Sequence, residues 1–253
     1  MTFHSPIEFH LILLIAAAGL YAGAQNVLAG GGSFITFPAL MLAGLNPLAA
    51  NLTSTIALFP SQITSAMSGR HLVGDVGKLR FSSLFIISLI GGVIGAILLL
   101  STSNDFFSKL VPWLVLFATV VFAWGSFRKK PLHAVSSLHT WQLMLIQGCI
   151  GIYGGYFGGG IGFLMLAALT IAGQQVRTAT ATKNVLAMAM NASAVAIFAF
   201  SSQVQWVAVL TLGISAVIGS YCGSWLMKWL PEKVLRGFVV CAGTALTIWM
   251  FIR

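Results

Sequence analysis

The sequence predicts an all-α polytopic membrane protein made of two inverted repeats, each with a glycine-interrupted broken or re-entrant helix followed by three long transmembrane helices. Of the 253 residues, 58% are hydrophobic and 7% are charged, whereas a soluble domain carries about 25% charged residues. With so few charges a soluble fold could not cover its own surface, so the bilayer must act as the solvent. The lengths of the apolar runs predict the helices, and two recurring glycine clusters predict the repeats and their broken helices.

Eight apolar runs are long enough to cross the membrane, since a helix needs about 20 apolar residues to span the hydrocarbon. They lie at about 9–29, 49–68, 81–100, 107–127, 141–157, 177–200, 206–227 and 234–252. Two shorter runs, at about 33–45 and 161–173, each follow a glycine cluster. Non-helical backbone at membrane depth is tolerated only where protein or a water-filled cavity surrounds it, so these two runs predict half-helices. The first run lacks a basic segment before it, which indicates a retained helix rather than a cleaved signal peptide.

The two glycine clusters mark an internal duplication. Residues 30–32 and 158–160 are both three consecutive glycines, and residues 50–55 correspond to residues 179–184 at an offset of 129. The sequence therefore predicts a first repeat over 1–127, a linker over 128–140 and a second repeat over 141–253. Interrupted segments at corresponding places in two halves are the best sequence indication of a transporter site.

The basic residues predict the orientation. If each half crosses the membrane an odd number of times, the halves are inverted, and one side of the membrane then holds Arg70, Lys78, Arg80, Arg128, Lys129, Lys130, Arg177, Lys228, Lys233 and Arg236. Only Lys109 and Arg253 fall on the other side. An even number of crossings moves the last four of the ten to the outside. The positive-inside rule therefore favours inverted repeats, a cytoplasmic linker and both termini outside the cytoplasm.

The charged residues also indicate which functions to exclude. The net charge of +9 comes from basic residues between apolar runs, the pattern of loops at a membrane face and not of a nucleic-acid groove. The four acidic residues lie in predicted loops or at helix ends: Glu8, Asp75, Asp105 and Glu232. Proton and sodium coupling usually relies on carboxylates within the membrane, and none is predicted there. Transport without a coupled proton or sodium ion is therefore expected. The three cysteines show no metal spacing, and neither a metal nor a cofactor is predicted.

Polar side chains recur in register along the third segment of each half. Asn51, Thr55 and Gln62 are spaced i, i+4 and i+11, which keeps them on one helical face. At the offset of 129 residues the second half carries Thr180, Asn184 and Asn191. This stripe predicts a substrate pathway, and the alternative is interhelical hydrogen bonding that holds the bundle together.

Lys183 and the glycine clusters are the other candidates. Lys183 lies about two turns into an apolar helix; it either attracts an anion or extends its amine to the cytoplasmic interface. Glycine breaks a helix and lets a ligand approach the backbone, and the following half-helix aims its N–H groups at the break. The alternative is close packing of helices through small residues, which better explains Gly91, Gly95, Gly219 and Gly223.

These residues carry a family resemblance over nearly the whole chain. Ala-Gly-Gly-Gly-Ser at 29–33 with Pro38 soon after, Ala-Asn-Leu-Thr-Ser at 50–54, and the counterparts at 155–162 and 179–182 resemble the sulfite exporter TauE/SafE family of bacterial membrane proteins. The resemblance implies export of sulfite and organosulfonates such as sulfoacetate across the inner membrane. The second half departs from the first at one pair of positions, where Lys183-Asn184 replaces Ser54-Thr55.

The predicted function is a secondary transporter that exports small sulfur-containing anions from the cytoplasm, with a site between the repeats. An anion channel of the same architecture is the alternative. An enzyme using Ser33 as nucleophile is disfavoured because no histidine or acid is predicted at membrane depth to serve as its base. The expected partners are the anion and the lipid bilayer, no nucleic acid is expected, and a homo-oligomer is allowed. The candidate substrate-binding residues are Gly30, Gly31, Gly32, Ser33, Asn51, Thr53, Ser54, Thr55, Gln62, Gly158, Gly159, Gly160, Thr180, Thr182, Lys183, Asn184 and Asn191.

Overall fold

Residues 9–28, 32–127, 139–226 and 232–252 are described by a computed structural model. Within these ranges the chain forms ten α-helices: α1 (Phe9–Leu28), α2 (Ser33–Leu42), α3 (Pro47–Ser68), α4 (Phe81–Leu100), α5 (Asn104–Phe127), α6 (Thr140–Tyr156), α7 (Ile161–Ile171), α8 (Val176–Phe198), α9 (Trp206–Leu226) and α10 (Glu232–Ile252). A short 3-10 helix, Arg70–Leu72, lies between α3 and α4. The all-helical prediction is confirmed, and each predicted apolar run corresponds to a helix.

The order of long and short helices is the same in α1–α5, the first half of the chain, as in α6–α10, the second half. In each half a long helix is followed by a half-helix and then by three long helices. Within the described ranges, three stretches are long and apolar enough to cross a membrane, namely Phe81–Leu100, Asn104–Val121 and Val176–Phe198. The eight predicted runs thus include helices with shorter apolar stretches, such as His10–Asn26 and Trp206–Cys222. α3 has 22 residues but carries many polar side chains.

Glycine backbone conformation explains the break between α6 and α7. Gly158 and Gly160 have φ angles of +77° and +76°, in the left-handed region that glycine adopts without steric penalty. In the first half the N–H of Gly32 donates to Oδ1 of Asn26, at 3.0 Å, so α2 starts against the end of α1. Gly30 and Gly31 lie outside the described residues.

The hairpin formed by α1 and α2 folds back along α3. The amide nitrogen of Asn26, near the end of α1, lies 3.5 Å from the hydroxyl of Ser61 in the middle of α3. The hydroxyls of Thr36 in α2 and Ser54 in α3 are 2.6 Å apart. α2 therefore runs from the middle of α3 back towards its first residues, where residues 43–46 connect the two helices.

Small residues allow two pairs of helices to approach closely. A methyl group added at Gly91 or Gly95 of α4 would overlap the backbone of α6, and one added at Gly219 of α9 would overlap the backbone of α1. The interpretation of these three glycines as packing residues is confirmed. The surroundings of Gly223 lie outside the described part of the chain.

Candidate functional site

Corresponding positions of the two halves meet where α3 crosses α8. Nδ2 of Asn191 donates to Oε1 of Gln62 at 2.7 Å, and these residues are 129 positions apart, which is the offset between the halves. At the end of α3, a Cβ built on Gly69 would lie 3.3 Å from Cβ of Ala181, near the start of α8. The two helices therefore run antiparallel, with Gln62 and Asn191 at their crossing.

Two threonines at corresponding positions bind backbone of the opposite half. The buried hydroxyl of Thr53 accepts the N–H of Gln205 at 3.2 Å, just before α9. The buried hydroxyl of Thr182 accepts the N–H of Gly74 at 3.5 Å, in the segment before α4. Both threonines thus anchor a loop to a helix, which is the packing role proposed as the alternative for membrane polar residues.

Three further candidates of the first half are also engaged in hydrogen bonds. Ser54 contacts Thr36, as described above, and Thr55 donates to the carbonyl of Asn51 one turn earlier, at 2.9 Å. Nδ2 of Asn51 donates to the carbonyl of Tyr156 at the end of α6, at 3.0 Å. Asn51 therefore joins α3 to the break that precedes α7.

The flanks of both helix breaks line one small void. Its walls are formed by residues of α2, α3 and α5 and of the second break, namely Ser33, Phe34, Phe37, Asn51, Val115, Phe157 and Gly159. The void measures about 10 Å³, near the lower limit for one water molecule. In this conformation it is too small for a sulfur oxyanion, because the rings of Phe37 and Phe157 pack edge to face across it with centroids 5.8 Å apart.

A much larger cavity of about 580 Å³ lies between the last turns of α3, the first turns of α8 and the end of α9. This volume is in the range of small-molecule sites. The cavity is lined by Thr64, Ser65, Ser68, Gly69, Leu72, Val176, Arg177, Thr180, Ala181, Asn184, Ser220 and Tyr221. Of the candidates proposed from the sequence, only Thr180 and Asn184 line it. The α3 hydroxyls and Arg177 were missed, although three hydroxyl residues within five positions at the end of α3 were a usable signal.

Two basic side chains of α8 lie at this cavity, one in its wall and one behind it. Arg177 is exposed and lines the wall, whereas Lys183 is buried and its amine donates to Oδ1 of Asn184 at 2.8 Å. Among the described residues neither side chain forms an ion pair. The amine of Lys183 therefore does not extend to the surface; it binds a residue of the cavity wall.

The loop between α3 and α4 brings further basic residues to the same end of the bundle. Nε2 of Gln174, just before α8, donates to the carbonyl of Gly74 at 2.8 Å and to that of Asp75 at 3.1 Å. The loop that contains Arg70, Lys78 and Arg80 is thereby held next to the start of α8. We call this end of the bundle, with residues 69–80 and 174–177, the basic end.

A large cavity between two sets of helices that follow the same order is typical of secondary transporters, and this fold and cavity define the chain as a multi-pass membrane transporter. The family model of the sulfite exporter TauE/SafE matches residues 15–250, and the chain belongs to this family. The resemblance recognised in the sequence is thus confirmed, and membership in a transporter family agrees with the expectation that the chain is not an enzyme.

Relatives of similar length are described as probable membrane transporter proteins. The chain is 30% identical over 245 residues to the probable membrane transporter protein ORF9 of Sinorhizobium sp, covering 96% of this chain and 93% of the relative. It is 24% identical over 248 residues to one from Haemophilus influenzae, covering 95% and 94%. It is 25% identical over 252 residues to YfcA of Escherichia coli (strain K12), covering 96% and 89%.

Proposed function

We propose that this transporter exports small sulfur-containing anions, sulfite or organosulfonates, from the cytoplasm across the inner membrane, and that it binds them between two inverted repeats. The family description supports the class of substrate. The observation that supports this location is the crossing of α3 and α8, where Gln62 binds its counterpart Asn191 beside the large cavity.

The antiparallel pairing supports inverted repeats. A two-fold axis that exchanges two antiparallel helices is perpendicular to both, so it lies in the membrane plane when those helices cross the bilayer. α5 and α10 are antiparallel too, since Trp113 early in α5 stacks edge to face on Phe251 at the end of α10, at 5.1 Å, and Thr119 lies against Gly243. One re-entrant hairpin plus three crossing helices gives each half an odd number of crossings.

The distribution of charges supports export as the direction of transport. Arg70, Lys78, Arg80 and Arg177 lie at the basic end, which the positive-inside rule assigns to the cytoplasm. Lys109, in the second turn of α5, belongs to the opposite end. The cavity lies at the basic end, so it would receive its substrate from the cytoplasm.

The difference between the two ends favours a carrier over a channel. The cavity-lining residues have counterparts in the other half at the offset of 129 residues. Five of these counterparts, at the opposite end of the α3–α8 pair, are buried: Ala194, Phe198, Leu48, Asn51 and Leu52. One end is open while the corresponding end is closed, as expected for a carrier in its cytoplasm-facing state, whereas a conducting channel is open at both ends.

Export can proceed without a coupled ion. Asp75 lies in the loop at the basic end and Asp105 lies in the first turn of α5, so both are peripheral. An inside-negative potential favours exit of an anion by about 2.3 kcal/mol per charge per 100 mV. The potential itself is therefore a sufficient driving force.

The proposal predicts the behaviour of the purified protein in proteoliposomes. With sulfite, sulfoacetate or sulfate inside, we expect efflux of the preferred anion to follow an imposed potential when no pH gradient exists, because the potential acts on the anion charge alone. The measurement is initial efflux rate against potential. Strict dependence on a pH gradient would contradict uniport, absence of flux for all three anions would contradict the proposed substrate class, and flux without saturation or counterflow would indicate a channel.

A further inference from the structure

The hydroxyl groups of the cavity wall offer an anion few donors. Each hydroxyl has one proton, and five wall residues donate theirs to a carbonyl of their own helix at 2.7–2.9 Å: Thr64, Ser65, Ser68, Thr180 and Ser220. These hydroxyl oxygens can therefore only accept hydrogen bonds from a molecule in the cavity. An oxyanion requires N–H or O–H donors, so its binding must depend on other wall residues.

Asn184 supplies such a donor because of its contact with Lys183. A protonated lysine amine only donates hydrogen bonds, so the 2.8 Å contact requires Asn184 to turn Oδ1 towards Lys183. The other branch of the amide, Nδ2, is then turned away from Lys183. Nδ2 makes no hydrogen bond within the described residues, and Asn184 lines the cavity whereas Lys183 does not.

Two positive charges favour an anion at this place. The guanidinium of Arg177 lies on the same helix, two turns before Asn184, and forms no ion pair in the described ranges. Lys183 is 5% exposed, and a buried ammonium without a carboxylate is costly in a membrane protein. An anion at Nδ2 of Asn184 would lie one amide group away from this ammonium and would offset its charge.

We propose, on the basis of the proposed function, that the cavity binds a sulfur oxyanion through Nδ2 of Asn184 and the guanidinium of Arg177, and that Lys183 is the positioning residue that turns the Asn184 donor towards the anion. The Ser and Thr hydroxyls of α3 contribute acceptors for water or for a donor group on the substrate. The site is therefore centred on α8 of the second half.

Binding of sulfite and sulfoacetate to the full-length protein in detergent, together with KM and maximal rate in proteoliposomes, tests this proposal. Asn184→Asp replaces the two N–H donors with carboxylate oxygens that also pair with Lys183. Because hydrogen bonds to charged groups are among the stronger ones, we expect Kd and KM to rise about tenfold or more. Asn46→Asp is the matched control, since Asn46 is the exposed N-cap of α3 at the other end and aspartate caps equally well; both constants should stay within about twofold.

Lys183→Met separates positioning from folding. If Lys183 orients Asn184, this change raises KM severalfold in the wild-type background and has no further effect on KM when combined with Asn184→Leu. A structural role alone would lower the yield and melting temperature but leave KM unchanged in both backgrounds. Arg177→Gln, at an exposed position, should raise Kd and KM in a protein that folds normally, and it replaces Asn184→Asp as the test if that variant does not fold.

The outcomes distinguish this inference from the function on which it rests. Wild-type protein that neither binds nor transports any tested anion would overturn the proposed function. Wild-type protein that transports normally, with unchanged Kd and KM in Asn184→Asp or Arg177→Gln, would overturn only the assignment of these residues.

Discussion

A disulfide between cysteines introduced by Gly69→Cys and Ala181→Cys is expected to stop anion transport completely. A Cβ at position 69 lies 3.3 Å from Cβ of Ala181, close to the separation that a disulfide requires. Position 69 is seven residues beyond Gln62, or about 10 Å along α3. If the halves rock about the Gln62–Asn191 crossing, the ends of α3 and α8 at the basic end must move relative to each other, and the crosslink prevents this.

The crosslinking experiment requires a background without the exposed Cys149, Cys222 and Cys241, which serine can replace. The measurement is efflux before oxidation, after oxidation and after reduction, with crosslink formation followed by mass spectrometry. Each single cysteine variant should be insensitive to oxidation. Undiminished efflux through a fully crosslinked protein would show that this end does not move and would favour the channel alternative.

Replacing Gly155 with alanine is expected to destabilise the protein strongly. A methyl group at this position would overlap the carbonyl oxygen of Gly92, so α4 and α6 would have to separate. Overpacking of this kind typically costs about 1–3 kcal/mol and occasionally more, and the upper part of that range is expected because the obstacle is backbone. Thermal unfolding in detergent, together with the yield of monodisperse protein, measures the effect.

Gly148 is the matched control on the same helix. A Cβ there would meet only Cγ2 of Ile87, at 3.8 Å, which is ordinary van der Waals contact. Gly148→Ala should be neutral or should stabilise α6 by up to about 1 kcal/mol, because alanine favours the helix. Equal melting temperatures for Gly155→Ala and Gly148→Ala would show that α4 and α6 do not approach as closely as described.

The helices were predictable from sequence because the bilayer restricts the chain to apolar helical segments. The predicted run at 81–100 has the same first and last residues as α4. At the predicted break at 158–160, two left-handed φ angles explain why the chain has glycine there. The boundaries of other helices differ by a few residues, since capping and loop contacts decide where a helix ends. The offset of 129 residues identifies Gln62 and Asn191 as corresponding positions. Only the packing of α3 on α8 reveals that the two side chains meet.

The cavity was less predictable because it results from the arrangement of three helices. Ser65 and Ser68 bind carbonyls of their own helix, as serines in any membrane helix do, and nothing local distinguishes them. Conversely, Thr53 and Thr182 carry the expected polar groups but bind loop backbone. The depth of Lys183 in its helix was compatible both with attraction of an anion and with extension of the amine to the interface. Its contact with Asn184 depends on side-chain packing, which sequence spacing does not predict.

The central claim is that two halves of opposite orientation enclose a cavity that opens to the cytoplasm, and the location of the C-terminus tests it most directly. With an odd number of crossings per half, reporter fusions after residues 128–130 and near 228–232 should report the cytoplasm, and a fusion after Arg253 should report the outer side. A fusion after Arg253 that reports the cytoplasm would contradict the account, because it requires an even number of crossings in one of the halves.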